Sequence, residues 1–192
     1  MIRILAVLIA LTGVFLGVAP ALAAPPKLPA GVDPQNAIVI DTTKGRIIIK
    51  LRTDLAPKHA ERIKQLARDG FYDNVPFHRV IPGFMAQTGD GQNHDGTGGS
   101  KYPNLTAEFS NVPFKRGIVG MARRGGDNNS ANSQFFIMYR ETDSLNGQYT
   151  VIGEVVSGMD VADKLKKGSE SDNGKVESPD KMLKVQVAAD MK

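Results

Sequence analysis

The chain of 192 residues contains no cysteine, no tryptophan and only three histidines. Without cysteine it can form no disulfide and offers no thiol nucleophile or thiolate metal ligand. The histidines, His59, His78 and His94, are too far apart to show the close spacing of a metal site. No cofactor and no metal are therefore expected. A domain without disulfides depends on its hydrophobic core, and this chain is long enough to bury one.

A strong excess of either charge is also missing. The 24 basic residues face 20 acidic residues, which gives a formal net charge of +4. Lys164, Lys166 and Lys167 lie together, but they are expected to close a helix, whose carboxyl end favours cations. The sequence has no dense basic stripe with aromatic residues between the charges, so no nucleic-acid partner is expected.

The amino-terminal segment has the pattern of a secretory signal peptide. Arg3 precedes an apolar run from Ile4 to Ala19, and small residues follow at Ala21-Leu22-Ala23. This order predicts cleavage after Ala23 and a periplasmic location, or secretion from another type of cell. An uncleaved anchor is the alternative, although the apolar run is shorter than the roughly 20 residues that span a bilayer. No stable membrane insertion is expected once the leader is removed.

The remaining chain is predicted to be one mainly β domain. Residues 24–35 read as a Pro/Ala-rich tether, and residues 36–192 as the domain. Strands are predicted at Ile38–Asp41, Arg46–Leu51, Ile118–Ala122, Gln134–Met138, Thr150–Val156 and Met182–Ala188, with two more inside Phe77–Asp90. Helices are predicted at Pro57–Arg68 and at Ser157–Lys167, where Ser157 and Asp160 have the spacing of a capping box. About eight strands and two helices fit a closed antiparallel barrel with a helix at each end.

The segment Phe77–Asp90, FHRVIPGFMAQTGD, is the most informative part of the sequence. A Pro82-Gly83 turn joins two short apolar runs, which predicts two strands connected tightly. Arg79 and Gln87 lie among apolar and aromatic residues. A guanidinium can only donate hydrogen bonds and positive charge, so Arg79 cannot act as a general base. Taken alone, Arg79 could lie along a barrel wall with its head in water, and Gln87 could be a solvated strand residue.

A second segment, residues 117–137, reads GIVGMARRGGDNNSANSQFFI. Together the two segments resemble the signature of the cyclophilin-type peptidyl-prolyl cis-trans isomerases, in which the first motif carries the catalytic arginine. The resemblance covers roughly Asn36 to Ala189. It implies a closed eight-stranded antiparallel β-barrel capped by two α-helices, and catalysis of rotation about X-Pro peptide bonds.

The resemblance also implies the residues of a site for proline-containing segments of unfolded or folding proteins. Arg79 would be the catalytic donor, and Gln87 would belong to the hydrogen-bond network around it. The implied substrate-binding residues are Phe84, Met85, Ala122, Arg123, Gln134, Phe136, Leu145 and Tyr149. At the position of Arg123 the family uses backbone atoms, so little is expected of its side chain. Phe77 and Phe135 are expected in the core, since strand alternation turns Phe135 away from Phe136.

The sequence departs from the better-known members of that family at three places. The segment Arg123–Ser133 is longer and more charged, Ser144 stands where a tryptophan is common, and Tyr149 stands where a histidine is common. Losing the indole removes apolar contact and an N–H donor, which predicts weak sensitivity to the inhibitor cyclosporin. Gly96-Thr97-Gly98-Gly99 looks superficially like a phosphate loop, but no lysine or following helix supports that interpretation. A surface loop over Gly89–Tyr102 is expected instead.

The function predicted from these observations is a prolyl isomerase that assists the folding of exported proteins, acting as a monomer. A second possibility is a chaperone or assembly module that binds proline segments in the same groove, with incidental isomerase activity. A structural or carrier barrel is a third, and the two motifs argue against it. Arg79 favours the first, because binding alone would not need that donor.

Overall fold

We describe residues 27–192 of a computed structural model of the chain, which form nine strands and two α-helices. The strands are β1 (Ala37–Thr42), β2 (Gly45–Leu51), β3 (Val75–Pro76), β4 (Arg79–Ile81), β5 (Met85–Thr88), β6 (Ile118–Met121), β7 (Phe135–Met138), β8 (Val151–Ser157) and β9 (Lys181–Val187). The helices are α1 (Pro57–Arg68) and α2 (Met159–Asp163). The predicted signal peptide lies outside the described residues.

The strands form one antiparallel sheet in the order β3-β9-β1-β2-β8-β6-β7-β5-β4. The two end strands, β3 and β4, are separated along the chain only by Phe77 and His78. The segment 75–81 therefore pairs with β9 at its start and with β5 at its end, which closes the sheet on itself. Counting β3 and β4 as one interrupted strand gives eight strands from the nine. The mainly β, closed eight-stranded antiparallel barrel with two helices is confirmed.

Alternate residues of the strands pack on opposite faces of the barrel wall. The interior cluster includes Ile38, Ile40, Ile47, Phe77 and Phe135, all of them buried. A second cluster on the outer face contains Met85, Phe114, Phe136, Met138 and Val151. The expected placement of Phe77 and Phe135 in the core is confirmed, and Phe136 lies on the other face. This outer cluster is the floor of the cleft described below.

Helix α1 has the predicted bounds. Proline occupies its first turn, where a missing N–H costs nothing, and Ala60, Ile63 and Leu66 are buried against the barrel. The chain leaves the helix at Asp69, followed by Gly70 with φ +67°. Only a residue tolerant of the left-handed conformation reverses the chain there without strain.

Helix α2 is shorter than predicted, and the capping box is wrong. Ser157 is the last residue of β8 and pairs with Ile48, so it belongs to the sheet and cannot cap a helix. The N-cap is Gly158, with φ +92° and no side-chain cap. A Cβ at Gly158 would lie 2.3 Å from the Arg46 carbonyl oxygen, so a glycine is required. Helix α2 ends at Asp163, before the three lysines that were expected to close it.

The described part of the predicted tether, residues 27–35, packs in part against the barrel. Leu28 and Val32 are partly buried against a small cluster of Ala37, Val39 and Ala188. The division of the chain into leader, tether and domain stays a prediction. Within residues 27–192, no helix is long and apolar enough to cross a membrane.

Candidate active site

An open cavity of about 180 Å³ lies over the outer apolar cluster. Its lining contains nine of the ten site residues predicted from the sequence: Arg79, Phe84, Met85, Gln87, Ala122, Arg123, Phe136, Leu145 and Tyr149. The tenth, Gln134, lines an adjoining cavity and is hydrogen-bonded to Gln87. The fold therefore brings together residues that are up to 70 positions apart in the chain.

The guanidinium of Arg79 is held on two sides. The register of the β4–β5 hairpin places Arg79 directly opposite Gln87, and Nη1 donates to Gln87 Oε1 at 3.1 Å. On the other side, Nε donates to the Asn173 carbonyl oxygen at 2.9 Å, and Nη2 donates to Asn173 Oδ1 at 2.8 Å. The head of Arg79 is thus fixed at the cleft and does not extend freely into water.

The environment of Arg79 is half-buried and lacks a counter-charge. Burial lowers the pKa of its guanidinium, and the neighbouring Tyr149 acts in the opposite direction. Arginine nevertheless remains protonated at neutral pH. Within the described residues, its polar partners are the side-chain amide oxygens of Gln87 and Asn173, the Asn173 carbonyl oxygen and the Met85 sulfur, and none is a carboxylate. The cleft therefore presents a cationic donor whose charge is not neutralised by an acid.

A chain of amide hydrogen bonds fixes Gln87 in turn. Gln87 Nε2 donates to Gln134 Oε1 at 2.9 Å. Gln134 Nε2 donates to the carbonyl oxygens of Gly96 and Gly98, at 2.9 and 2.8 Å. Because a carbonyl can only accept, the group of Gln134 that faces Gly96 and Gly98 must be its NH2 group, and its Oε1 must then accept from Gln87 Nε2. Gln87 Oε1 therefore faces Arg79 as an acceptor.

The glycine loop that receives these hydrogen bonds is organised by Asp90, a residue that was not predicted from the sequence to belong to the site. Its side chain is fully buried, and its two oxygens accept five backbone N–H groups, from Gln92, Asn93, Asp95, Gly96 and Gly98. Burial alone would raise the pKa of Asp90, but these N–H donors lower it to about 2. The loop predicted over Gly89–Tyr102 is confirmed, and its N–H groups serve an internal carboxylate.

Aromatic rings form the apolar floor of the cavity. Phe136 stacks on Phe114 with centroids 5.8 Å apart, and Tyr149 meets Phe136 edge-on at 5.5 Å. Gly120 lies beneath them, where a Cβ would come within 2.6 Å of both phenylalanine rings. The absence of a side chain at Gly120 therefore sets the depth of the floor. Phe114 was missed in the sequence because no motif residue marks it.

Arg123 contributes more than its backbone to the cleft. Its guanidinium lies 4.7 Å from the centroid of the Tyr149 ring. Nε donates to the Gln148 carbonyl oxygen and Nη1 to the Arg124 carbonyl oxygen, each at 3.1 Å. The resemblance implied that the Arg123 side chain would matter little. In this structure the side chain forms part of the cavity wall.

A second cavity, of about 310 Å³, adjoins the first and shares Gln87, Ala122 and Arg123 with it. Its lining is polar and includes backbone of the 96–99 loop, Arg124 and Asn132. The long, charged segment Arg123–Ser133 supplies one side of this cavity. The groove edge whose shape was expected to differ, because of this longer and more charged segment, is therefore the wall of the second cavity.

Other side chains with potential chemistry do not line the first cavity. His59 is fully buried with Nδ1 2.6 Å from Glu108 Oε2, and His78 is buried beneath Gly96. Ser130 Oγ donates to the Asp127 carbonyl oxygen, as a turn residue does. Among residues 27–192, no group of three or more acidic or histidine side chains is placed to hold a metal ion.

A family model described as "Cyclophilin type peptidyl-prolyl cis-trans isomerase/CLD" matches residues 37–187. A protein of Brucella suis biovar 1 named "Probable peptidyl-prolyl cis-trans isomerase" is 56% identical over 173 residues, covering 85% of this chain and 88% of that protein. A "Peptidyl-prolyl cis-trans isomerase" of Encephalitozoon cuniculi is 43% identical over 136 residues, covering 66% of this chain and 77% of that protein.

Two solved structures have the same architecture. Cyclophilin AquaCyp293 from Hirschia baltica superposes with a TM-score of 0.75 and 29% identity, covering 84% of this chain and 77% of that one. A Cryptosporidium parvum cyclophilin-type isomerase, crystallised in the presence of the dipeptide Ala-Pro, gives a TM-score of 0.72 with 26% identity. That comparison covers 79% of this chain and 98% of the other.

Proposed function

Because the chain belongs to the cyclophilin-type peptidyl-prolyl cis-trans isomerase family, we propose that Arg79 is the group that accelerates rotation about X-Pro bonds in its cleft. Enzymes of this family act on proline-containing peptides, and this chain is such an isomerase. The observation that carries the proposal is a fixed guanidinium that has no carboxylate partner among residues 27–192, at the edge of a cavity with an apolar floor. The proposed mechanism requires no cofactor.

The barrier to be lowered arises from amide resonance. Rotation about a peptide bond costs about 18–20 kcal/mol because the nitrogen lone pair is shared with the carbonyl. In the twisted state that lone pair is localised on nitrogen and can accept a hydrogen bond. A cation that donates to the prolyl nitrogen therefore stabilises the twisted state more than either planar state. This requires no proton transfer and no covalent intermediate.

The contacts of Arg79 suit this role. A guanidinium has five N–H groups, and only three of those of Arg79 have oxygen acceptors among residues 27–192. A further contact joins Nη1 to the Met85 sulfur at 3.9 Å, so the guanidinium is held in place while at least one N–H group remains for a substrate. The floor of Met85, Phe136 and Leu145 would hold the pyrrolidine ring while the preceding carbonyl turns. Holding both the ring and the donor in place removes much of the entropic cost of alignment.

Proline-limited refolding of a test protein is the experiment that tests the activity. Uncatalysed isomerisation takes about 10–100 s at 25 °C, so it gives a separate slow phase. We expect the protein to remove this phase at a concentration far below that of the refolding chain. If the slow phase changes only when the protein is equimolar with the refolding chain, the groove binds segments without turning them over. That result would favour the chaperone alternative.

We further propose that the clients are exported proteins, on the basis of the leader pattern. The test is expression in a Gram-negative host, cell fractionation and amino-terminal sequencing of the product. The expected product lies in the periplasm and begins at Ala24. A control variant, Leu11→Arg, interrupts the apolar run and should stay in the cytoplasm. A full-length product in the membrane fraction would support the uncleaved anchor instead.

Substitution of Asn173 by aspartate is expected to lower kcat/KM about tenfold. A carboxylate at this position would lie beside Nη2 of Arg79, where Asn173 Oδ1 is now 2.8 Å away. The resulting ion pair would hold the guanidinium but offset part of the charge that acts on the substrate. Asn173→Ala, which removes the side-chain acceptor without adding charge, is the matched control and should lose less. A larger loss in Asn173→Ala than in Asn173→Asp would mean that Asn173 acts by holding the guanidinium in place, and that the absence of a negative charge beside it is not important.

Weak inhibition by cyclosporin remains a prediction. Ser144 is exposed in a 3-10 turn over Asp143–Leu145, at the edge of the cavity, and offers no large apolar surface there. We expect no inhibition of isomerase activity at low nanomolar drug. Ser144→Trp should lower the inhibition constant at least about tenfold, because an indole restores apolar contact and an N–H donor. Tight inhibition of the unmodified protein would contradict this prediction.

A further inference from the structure

Within the described residues, the charged side chains that line the two cavities are all of one sign. Three guanidinium groups, those of Arg79, Arg123 and Arg124, line the two adjoining cavities, and no aspartate or glutamate does. Asp90 lies beneath the glycine loop, where five backbone N–H groups surround its carboxylate. Asp95 bonds to the backbone and hydroxyl of Thr97. A substrate that fills the two cavities thus contacts cations and no acidic side chain among their lining residues.

Arg123 is the best placed of these cations to contact a side chain beside the proline. It belongs to the wall shared by both cavities. The Tyr149 ring and two carbonyl acceptors hold its guanidinium, which leaves three N–H groups without an acceptor among residues 27–192. A guanidinium fixed in this way loses little conformational freedom when it binds a carboxylate.

Arg124 adds a second, weaker cation at the rim of the polar cavity. Its side chain is 74% exposed, and Nη2 lies 3.7 Å from Asp127 Oδ2. This long, exposed pairing with Asp127 offsets only part of its charge. Arg124 is therefore available to attract an acidic segment, but competes with its own neighbour for it.

We propose that the cleft prefers proline segments that carry an acidic side chain within two residues of the proline, and that Arg123, assisted by Arg124, provides this selectivity. The proposal rests on the isomerase function proposed above. Successive residues of an extended segment advance about 3.3–3.6 Å. A chain with its proline in the apolar cavity therefore carries its near neighbours across the shared wall and into the polar cavity. There a carboxylate meets the forked donors of Arg123, and an ammonium group meets like charge.

The test compares exchange of X-Pro peptides of one length, followed by NMR without a coupling protease. Each peptide carries Glu, Gln or Lys at one of the two positions on either side of the proline. At one or more positions we expect kcat/KM to be roughly tenfold higher for Glu than for Lys at low ionic strength. This ratio should shrink at high salt, because partly exposed charges are screened. The Gln peptides report isomerase activity without charge.

Variants then assign the selectivity to residues. Arg123→Gln should reduce the Glu-to-Lys ratio roughly threefold to fivefold, Arg124→Gln should reduce it less, and Arg123→Lys should retain part of it. Arg68→Gln, which removes an equal charge far from the cleft on α1, should leave the ratio unchanged. The ratio is taken within one protein, so a partly misfolded variant does not alter it.

The outcomes separate this inference from the function on which it rests. If Gln peptides are exchanged but the Glu-to-Lys ratio is close to one at every position, the selectivity is wrong and the isomerase function stands. If the double variant Arg123→Gln/Arg124→Gln keeps the full ratio, these two arginines do not provide it and the proposal is overturned. If no peptide is exchanged, including those with Gln, the isomerase function itself fails.

Discussion

Arg79→Ala is expected to lower kcat/KM for X-Pro isomerisation by about 100- to 1,000-fold. A single preorganised donor in a water-poor site is worth about 2.7–4 kcal/mol of transition-state free energy. Arg79 is preorganised, because Asn173 and Gln87 fix its guanidinium before any substrate arrives, and a substrate that fills the open cavity would displace water from it. Exchange NMR on a neutral proline peptide, together with the refolding assay, measures the loss.

Two matched variants sharpen the interpretation of Arg79→Ala. Arg79→Lys keeps the charge but replaces the planar, forked guanidinium with a compact ammonium on a flexible stem, so it should recover only part of the activity. Arg68→Ala removes an arginine that pairs with Asp190 at the surface, and should retain full activity. Activity of Arg79→Ala within about threefold of the unmodified protein would exclude the proposed mechanism.

A more specific test of the mechanism asks whether Arg79→Ala lowers kcat/KM through weaker substrate binding or through slower turnover. If Arg79 acts mainly on the twisted amide, the variant should bind a proline peptide with a Kd within a few-fold of the unmodified protein while kcat falls. A parallel loss of affinity would mean that Arg79 binds the planar and twisted states equally. The groove would then be a binding site first, as the chaperone alternative requires.

Local patterns in the sequence were sufficient to predict the half of the site that lies in one hairpin. The Pro82-Gly83 turn, with φ +64° at Gly83, sets the register that places Arg79 opposite Gln87. Helix α1 was predicted with its observed bounds because its apolar spacing and its proline act within a few residues. Both features depend on interactions between near neighbours in the chain, which is why a single sequence reveals them.

Residues that arrive from distant parts of the chain could not be predicted in the same way. Asn173 contacts Arg79 across 94 positions, and nothing around it in the sequence indicates that contact. The dipeptide Asn173-Gly174 indicates a turn, and the φ of +49° at Asn173 agrees with one. A turn, however, does not reveal that the Asn173 side chain will contact Arg79. The predicted start of α2 at Ser157 was wrong for a related reason. The pairing of Ser157 in the sheet outweighs its preference as a helix cap.

Asp90→Asn is expected to lower the free energy of unfolding by about 3 kcal/mol, a large share of the stability of an ordinary domain. The asparagine oxygen can still accept the N–H groups of Gln92 and Asn93. The new amide group, however, would face the N–H groups that Oδ2 now accepts, and donors facing donors leave buried polar groups unsatisfied. Urea unfolding measures the loss. Asp160→Asn is the control, because Asp160 is exposed and pairs with Lys164 at the surface.

The pH dependence distinguishes the charge of Asp90 from its shape. Its pKa is about 2 in the folded chain, against 3.8 as the ordinary value. A carboxyl group whose pKa is lowered by folding contributes its stability fully above the unfolded pKa, and that stability is lost as the pH falls towards the folded pKa. The stability difference between the unmodified protein and Asp90→Asn should therefore shrink between about pH 5 and pH 2, by on the order of 2 kcal/mol. A difference that stays constant over this range would show that the carboxylate charge contributes nothing.

The same substitution should lower activity through Arg79, although Asp90 does not line the cleft. Displacing Gly96 and Gly98 removes the acceptors of Gln134 Nε2. Gln134 then no longer fixes Gln87, and the guanidinium of Arg79 loses one of its two supports. We expect kcat to fall about tenfold in conditions where the variant is fully folded, with Kd for a proline peptide changing less. Unchanged kcat in the folded variant would show that Asn173 alone positions Arg79, and that Asp90 serves the stability of the loop and not catalysis.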